Sequence, residues 1–166
     1  PDAVFPDAFL QASACMKMLR ECADKWFIDP ERILIQGSSA GGHLAAMVST
    51  YWHSPELAKI LGTTPEMIRP NGQILSYPVI TAGTFRNESS FKNLLGSQAE
   101  ESLEVNALVK AGVPVEFHLF PKGHHGLGTA TDLSRSKDGR GVQVQCGQWM
   151  DLVKAWIDHN IPDDEA

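Results

Sequence analysis

A serine among small residues, set between an apolar run and a helical pattern, is the chemistry-bearing feature of this 166-residue chain. Arg32-Ile33-Leu34-Ile35-Gln36 reads as a strand, Gly37-Ser38-Ser39-Ala40-Gly41 as a Gly-x-Ser-x-Gly turn, and His43-Leu44-Ala45-Ala46-Met47-Val48 as the helix it opens. Such a turn exposes Ser39 at the carboxyl end of a parallel strand and aims a helix N-terminus at it. A serine hydroxyl is a poor nucleophile until a base takes its proton. The backbone N–H of Ala40, at the helix start, can then stabilise the oxyanion that attack creates. An ordinary loop and a phosphate-binding turn are the competing readings. The spacing is neither that of a P-loop nor of G-x-G-x-x-G, and the flanking strand and helix support the nucleophilic reading.

A base for that serine should follow it in the chain. The six histidines are His43, His53, His118, His124, His125 and His159. Val113 to Phe120 alternates in period two, which predicts a strand with one buried face and places His118 within it as a structural residue. His43, His53 and His159 read as packing, capping or surface residues. Pro121-Lys122-Gly123-His124-His125-Gly126-Leu127-Gly128 is a Gly-punctuated loop just past the strand, so His124 and His125 are the candidate bases.

The elements that must position these groups alternate. Asp7 to Lys25 predicts an amphipathic helix, with Phe9, Ala12, Met16, Leu19, Ala23 and Trp26 at three- and four-residue steps. The helix after Ser39 runs to about Trp52, with Leu44, Met47, Val48 and Tyr51 facing inward. Pro55 to Arg69 is a short-helix region, and Gln73 to Val79 a buried strand ending at Pro78. Phe85 to Leu95 reads as a loop and short helix able to roof the site, and Ser134 to Gly141 as a mobile polar loop. Val144 to His159 is a closing helix with Trp149, Leu152, Val153 and Trp156 on one face. Strands alternating with helices indicate a parallel sheet covered on both faces.

With these residues in view, the chain resembles the α/β-hydrolase esterases. The similarity is carried by Gly37-Ser38-Ser39-Ala40-Gly41-Gly42-His43-Leu44-Ala45 and by Phe117 to Gly128. Phe5-Pro6-Asp7-Ala8, Ile28 to Ile33 and Lys110 to Glu116 extend it over nearly the whole chain. The nearest group is the bacterial acetyl-esterase and acetyl-xylan-esterase-like enzymes. The resemblance implies an α/β-hydrolase fold, a mostly parallel sheet with helices on both faces. It implies a serine carboxylesterase acting on short acyl groups of carbohydrates or small alcohols. It also implies that the catalytic histidine immediately precedes Gly-Leu or Gly-Phe, which selects His125 over His124.

Three parts of that pattern are missing. No His-Gly-Gly occurs to supply a second oxyanion donor, and no run of strands precedes the first helix. No aspartate stands between Asp29 and Asp132, and of Glu56, Glu66, Glu88, Glu100, Glu101, Glu104 and Glu116 none follows a recognisable strand end in the right place, so the triad acid is unassigned. The family's acid-bearing strand would fall near Val105–Val109, where Asn106 passes directly into Ala107. We read that junction as a join across omitted residues, and residues 1–166, which start at Pro1, as a single domain belonging to a longer enzyme. The 33 residues between Val79 and Val113 leave room for one crossover helix, not for a lid, a strand, an acid loop and a second helix. Removing a central parallel strand would expose two unpaired edges.

Composition narrows the function classes. A net charge of −6 argues against nucleic acid and anionic membrane as partners. No apolar run approaches a membrane span and no signal peptide is visible, so a cytoplasmic location is expected, with secretion left open by the start at Pro1. Cys15, Cys22 and Cys146 lack metal spacing; Cys15 and Cys22 lie two helical turns apart, too far for a disulfide, and all three are expected as packed thiols. No metal or other cofactor is implied, and the oligomeric state is unassigned. The expectation is a serine esterase with Ser39 as nucleophile, His125 as base and the Ala40 N–H in the oxyanion hole. A serine peptidase of the prolyl-oligopeptidase type and a non-catalytic binding protein on a degenerate hydrolase fold are the alternatives.

Overall fold

Apolar residues spaced three and four apart give the first helix one inward face, and the rest of the amino-terminal half is organised around that face. The computed structural model describes residues 6–79, 111–118, 120, 125–139 and 141–161. The chain divides into two compact units, Pro1–Leu103 and Glu104–Ala166.

In the first unit the order is α1 (Asp7–Glu21), α2 (Ala23–Trp26), β1 (Leu34–Ser38), α3 (Ala40–Tyr51), α4 (Pro55–Ile60), α5 (Pro65–Ile68) and β2 (Gly72–Ser76). β1 and β2 pair in parallel, from Leu34 opposite Gly72 to Ser38 opposite Ser76, so their carboxyl ends finish level. The helices between them form the crossover that a parallel pair requires. α3 packs on both strands, and α1 packs on α3 and α5. Met16, Ile33, Val48, Leu57, Ala58 and Ile68 form the buried core, with Phe9, Leu10, Ala12, Leu19, Ile28, Ile35 and Leu61 against it. Proline at the first helical position starts both α4 and α5, and the Ser54 hydroxyl caps α4 by accepting from the Leu57 N–H at 3.3 Å.

Asn71 sets the register of the strand pair. Its N–H donates to the Ile33 carbonyl at 2.8 Å, and its Oδ1 accepts from the Ile33 N–H at 3.1 Å. Arg20 Nη2 on α1 donates to the same Oδ1 at 2.8 Å, joining helix and sheet. Asn71→Ala leaves both donors without that acceptor, and a loss of about 2–3 kcal/mol is expected on urea unfolding. A loss within about 0.5 kcal/mol would contradict this role.

The first helix differs from its expected form. It breaks at Cys22, and the break resets its phase, so Trp26 turns outward (42% exposed) rather than joining the core. Phe27 closes α2 in the left-handed region (φ 56°) and is 97% exposed. Tyr51, expected inward, is 45% exposed; the deeply buried positions of α3 are Gly42, Ala45, Ala46 and Val48. Small residues let this helix lie close to the sheet. β2 stops at Ser76 because Tyr77 turns the chain with φ 39°.

The second unit holds a 3-10 turn (Asp132–Ser134), α6 (Val144–Gly147) and α7 (Trp149–Asn160). The expected closing helix is thus interrupted at Gln148, while Trp149, Leu152, Val153 and Trp156 do share its partly buried side. Among the described residues the strand expected over Val113 to Phe120 is not formed: residues 113–118 carry no regular structure and are exposed. Alternation alone does not make a strand, because a strand exists through the ladder to a neighbour. His118 is accordingly not buried; its Nε2 pairs with Glu116 Oε1 at 2.5 Å, two residues back along the chain. Cys146 is buried with Leu127, Ala130 and Phe120, whereas Cys15 is exposed and not packed. The Asn106–Ala107 junction, the roof expected over Phe85 to Leu95, and His124 lie outside the described residues.

Candidate active site

Ser39 stands alone between two regular elements: β1 ends at Ser38 and α3 begins at Ala40. Its backbone has φ 56° and ψ −123°, a conformation that costs a non-glycine residue roughly 1–3 kcal/mol and persists only where the surroundings enforce it. The enforcing contacts are main-chain hydrogen bonds. The Ser39 N–H donates to the Ser76 carbonyl at 3.0 Å, and the Ser39 carbonyl accepts from the Val79 N–H at 3.1 Å and the His43 N–H at 3.2 Å. The last residue of β2 and the stretch after it therefore grip the turn through the N–H and the carbonyl of the serine. The neighbouring Ser38 hydroxyl accepts from Gln36 Nε2 at 3.4 Å.

Two glycines make this grip sterically possible. A Cβ at Gly37 would lie 2.1 Å from the Gly41 carbonyl oxygen, and one at Gly42 would lie 2.8 Å from Pro78 Cβ. At Gly41, the last glycine of the Gly-x-Ser-x-Gly string, a Cβ would meet nothing within 4 Å. Strand and helix are thus closest at Gly37, and helix and the end of β2 at Gly42. Gly37→Ala is expected to cost about 3 kcal/mol or more, because the obstacle is backbone and cannot rotate away. Gly41→Ala should be neutral or stabilise by about 0.5 kcal/mol, since alanine is the better helix residue. Thermal melts of the two variants check this contrast; equal effects would contradict it.

Ala40 opens α3, in whose first turn the amides have no carbonyl partner within the helix. Its N–H therefore stands in a positive helix end, next in sequence to the Ser39 hydroxyl. The His43 ring, expected as a packing or capping group, has a defined bond instead: Nδ1 lies 2.8 Å from the Val79 carbonyl oxygen. That contact joins residues far apart in sequence, so only the fold reveals it. His53 lies edge-on to Trp52, and the Arg69 guanidinium stands over the same Trp52 ring, 5.4 Å from its centroid.

In the second unit His125 is exposed at the start of a turn. The loop behind it is anchored. Trp149 Nε1 donates to the Gly128 carbonyl at 3.1 Å, the Thr129 N–H donates to Ser134 Oγ at 2.7 Å, and the Thr129 hydroxyl pairs with those of Thr131 and Ser134. Leu127 and Ala130 pin the same loop into the small core around Cys146. These hydroxyl and indole anchors were not legible as such, although the position of Trp149 at the head of α7 was. Among the described residues no group of three or more His, Cys, Asp or Glu is arranged to hold a metal ion, and no helix is long and apolar enough to cross a membrane.

Comparison with known proteins gives a consistent picture. The profile of a family described by its alpha/beta hydrolase fold matches residues 1–108. The chain is 31% identical over 160 residues to endo-1,4-beta-xylanase B of Butyrivibrio fibrisolvens, covering 72% of this chain and 24% of that protein. It is 31% identical over 106 residues to the acetylxylan esterase of Xylanibacter ruminicola, covering 63% of this chain and 20% of that one. Among solved structures, the acetyl ester-xyloside bifunctional hydrolase of Caldicellulosiruptor lactoaceticus superposes with a TM-score of 0.70 at 29% identity, over 94% of this chain and 66% of its own. The chain thus spans about a quarter or less of these two curated relatives.

Proposed function

The chain belongs to the alpha/beta hydrolase fold family, and from that premise we propose that it is the nucleophile-bearing part of a serine carboxylesterase. Its substrates are short-chain, acetyl-type esters, carbohydrate esters among them. Ser39 Oγ attacks the ester carbonyl carbon while His125 takes the hydroxyl proton. The oxyanion of the tetrahedral intermediate accepts from the Ala40 N–H. The carbon–alkoxide bond breaks, His125 returns its proton to the leaving alcohol, and water activated by His125 hydrolyses the acyl-enzyme.

The observation that carries this reading is the strained backbone of Ser39, held at φ 56° and ψ −123° between a strand end and a helix start. Strain of this kind at a serine between a strand end and a helix start is the mark of a functional turn. The acetyl preference is supported by relatives named for acetylxylan esterase and acetyl ester-xyloside hydrolase activity. The omission between Asn106 and Ala107 is argued from the lack of any aspartate between Asp29 and Asp132. It is also supported by the xylanase alignment, whose 160 positions exceed the 72% of these 166 residues that it uses. The triad acid and the second oxyanion donor stay unassigned.

Assays with 4-nitrophenyl acetate, 4-nitrophenyl decanoate, acetylated xylo-oligosaccharides and a proline 4-nitroanilide test the proposal. Turnover of acetate esters well above the decanoate, with acetate released from the sugar, is expected. Cleavage of the anilide in preference to the esters would replace the esterase with a peptidase. No turnover of any of them by the full-length protein would leave a binding protein.

A further inference from the structure

Three hydrogen bonds close a ring around one peptide plane of the turn. The Ser39 carbonyl accepts from the His43 N–H and the Val79 N–H, and the Val79 carbonyl lies 2.8 Å from Nδ1 of the His43 ring. A carbonyl oxygen only accepts, so Nδ1 carries the proton of that bond. The Ser39 carbonyl and the Ala40 N–H belong to the same planar unit and point in opposite directions. Whatever fixes the carbonyl therefore aims the amide. Val79 is only 6% exposed, and it follows two residues that depart from the strand, Tyr77 with φ 39° and Pro78. Beyond Ser76 no ladder holds this stretch in place.

We propose that His43 is a positioning residue: by holding the Val79 carbonyl it locks the Ser39–Ala40 peptide with its N–H directed at the oxyanion. This rests on the esterase reading above. Without the ring, the stretch after β2 loses the bond that presses its N–H onto the Ser39 carbonyl, and the peptide is free to rock. Such a change weakens a contact made fully only in the transition state, so it lowers kcat and leaves KM in place. Protonation of the ring does not undo the bond, because the imidazolium also donates from Nδ1.

The test compares His43→Ala with His43→Asn in the full-length protein. The asparagine amide nitrogen occupies nearly the position of Nδ1 and donates the same bond. His43→Ala is expected to lower kcat for 4-nitrophenyl acetate about tenfold to a hundredfold, with KM within about threefold and an equal fall in the rate of fluorophosphonate labelling. His43→Asn should return both rates to within about threefold of the parent protein. An alanine variant with undiminished kcat, or an asparagine variant as impaired as the alanine, would overturn the proposal. If the variants do not fold, nitrogen-15 NMR of the parent protein decides: a neutral His43 ring protonated at Nε2 alone contradicts the clamp, and one protonated at Nδ1 supports it. A parent protein that neither turns over ester nor labels removes the esterase reading instead, and the tautomer then judges the clamp by itself.

Discussion

Ser39→Ala is expected to abolish ester hydrolysis, lowering kcat by at least about a thousandfold while the protein stays folded. The substitution removes one oxygen. The bonds that hold the turn, from Ser76, Val79 and His43, all involve the main chain of residue 39 and survive it. Stability should therefore change by less than about 1 kcal/mol. Ser39→Gly, equally inactive, should gain about 1 kcal/mol, because glycine adopts φ 56° without the steric penalty. A serine held in strain at the expense of stability is the expected signature of a functional position. Ser38→Ala loses only a hydroxyl that accepts a 3.4 Å bond from Gln36, and should keep kcat within about threefold. Steady-state kinetics and thermal melts of the three variants check this; similar losses at Ser38 and Ser39 would contradict it.

The second large effect separates adjacent histidines. His125→Ala is expected to reduce kcat about a thousandfold, in the range that a general base contributes, and His124→Ala by no more than about fivefold. Only one of two adjacent side chains is expected to reach the serine, so one of the pair can serve it and the other cannot. The loop after His125 is fixed by Leu127 and Ala130 in the core and by the Trp149 bond to Gly128, which gives His125 a defined base to stand on. Kinetics of both variants on acetate esters decide between them. A larger loss at His124 would shift the assignment by one residue, and small losses at both would remove the loop from the mechanism.

The strand, the turn and the following helix were legible because all three levels of signal agreed: a β-branched run, a turn of small residues, then a helical pattern. The run of small residues also marked the place where strand and helix come close enough to hold Ser39 in its strained turn. What it did not announce was which glycines matter. The string pointed to Gly37 and Gly41, while the contacts fall at Gly37 and Gly42, because the second close approach is to Pro78, in the stretch after β2. Long-range pairs of this kind leave no local mark. The same holds for Asn71 on Ile33 and Arg20, and for the His43 ring on Val79. The period-two stretch from Val113 failed for a related reason: alternation records which side of a chain is apolar, and a strand needs a partner as well. Trp26 misled because a helix pattern carries no warning of a break at Cys22 that changes its phase.

The nucleophile itself can be read out directly. The full-length protein is treated with a fluorophosphonate, digested, and the modified residue located by tandem mass spectrometry. One adduct, on the oxygen of Ser39, and its loss on denaturation before treatment, is the expected result. An adduct on Ser38 or on a serine outside the turn, or no adduct on a protein that hydrolyses acetate esters, would contradict it.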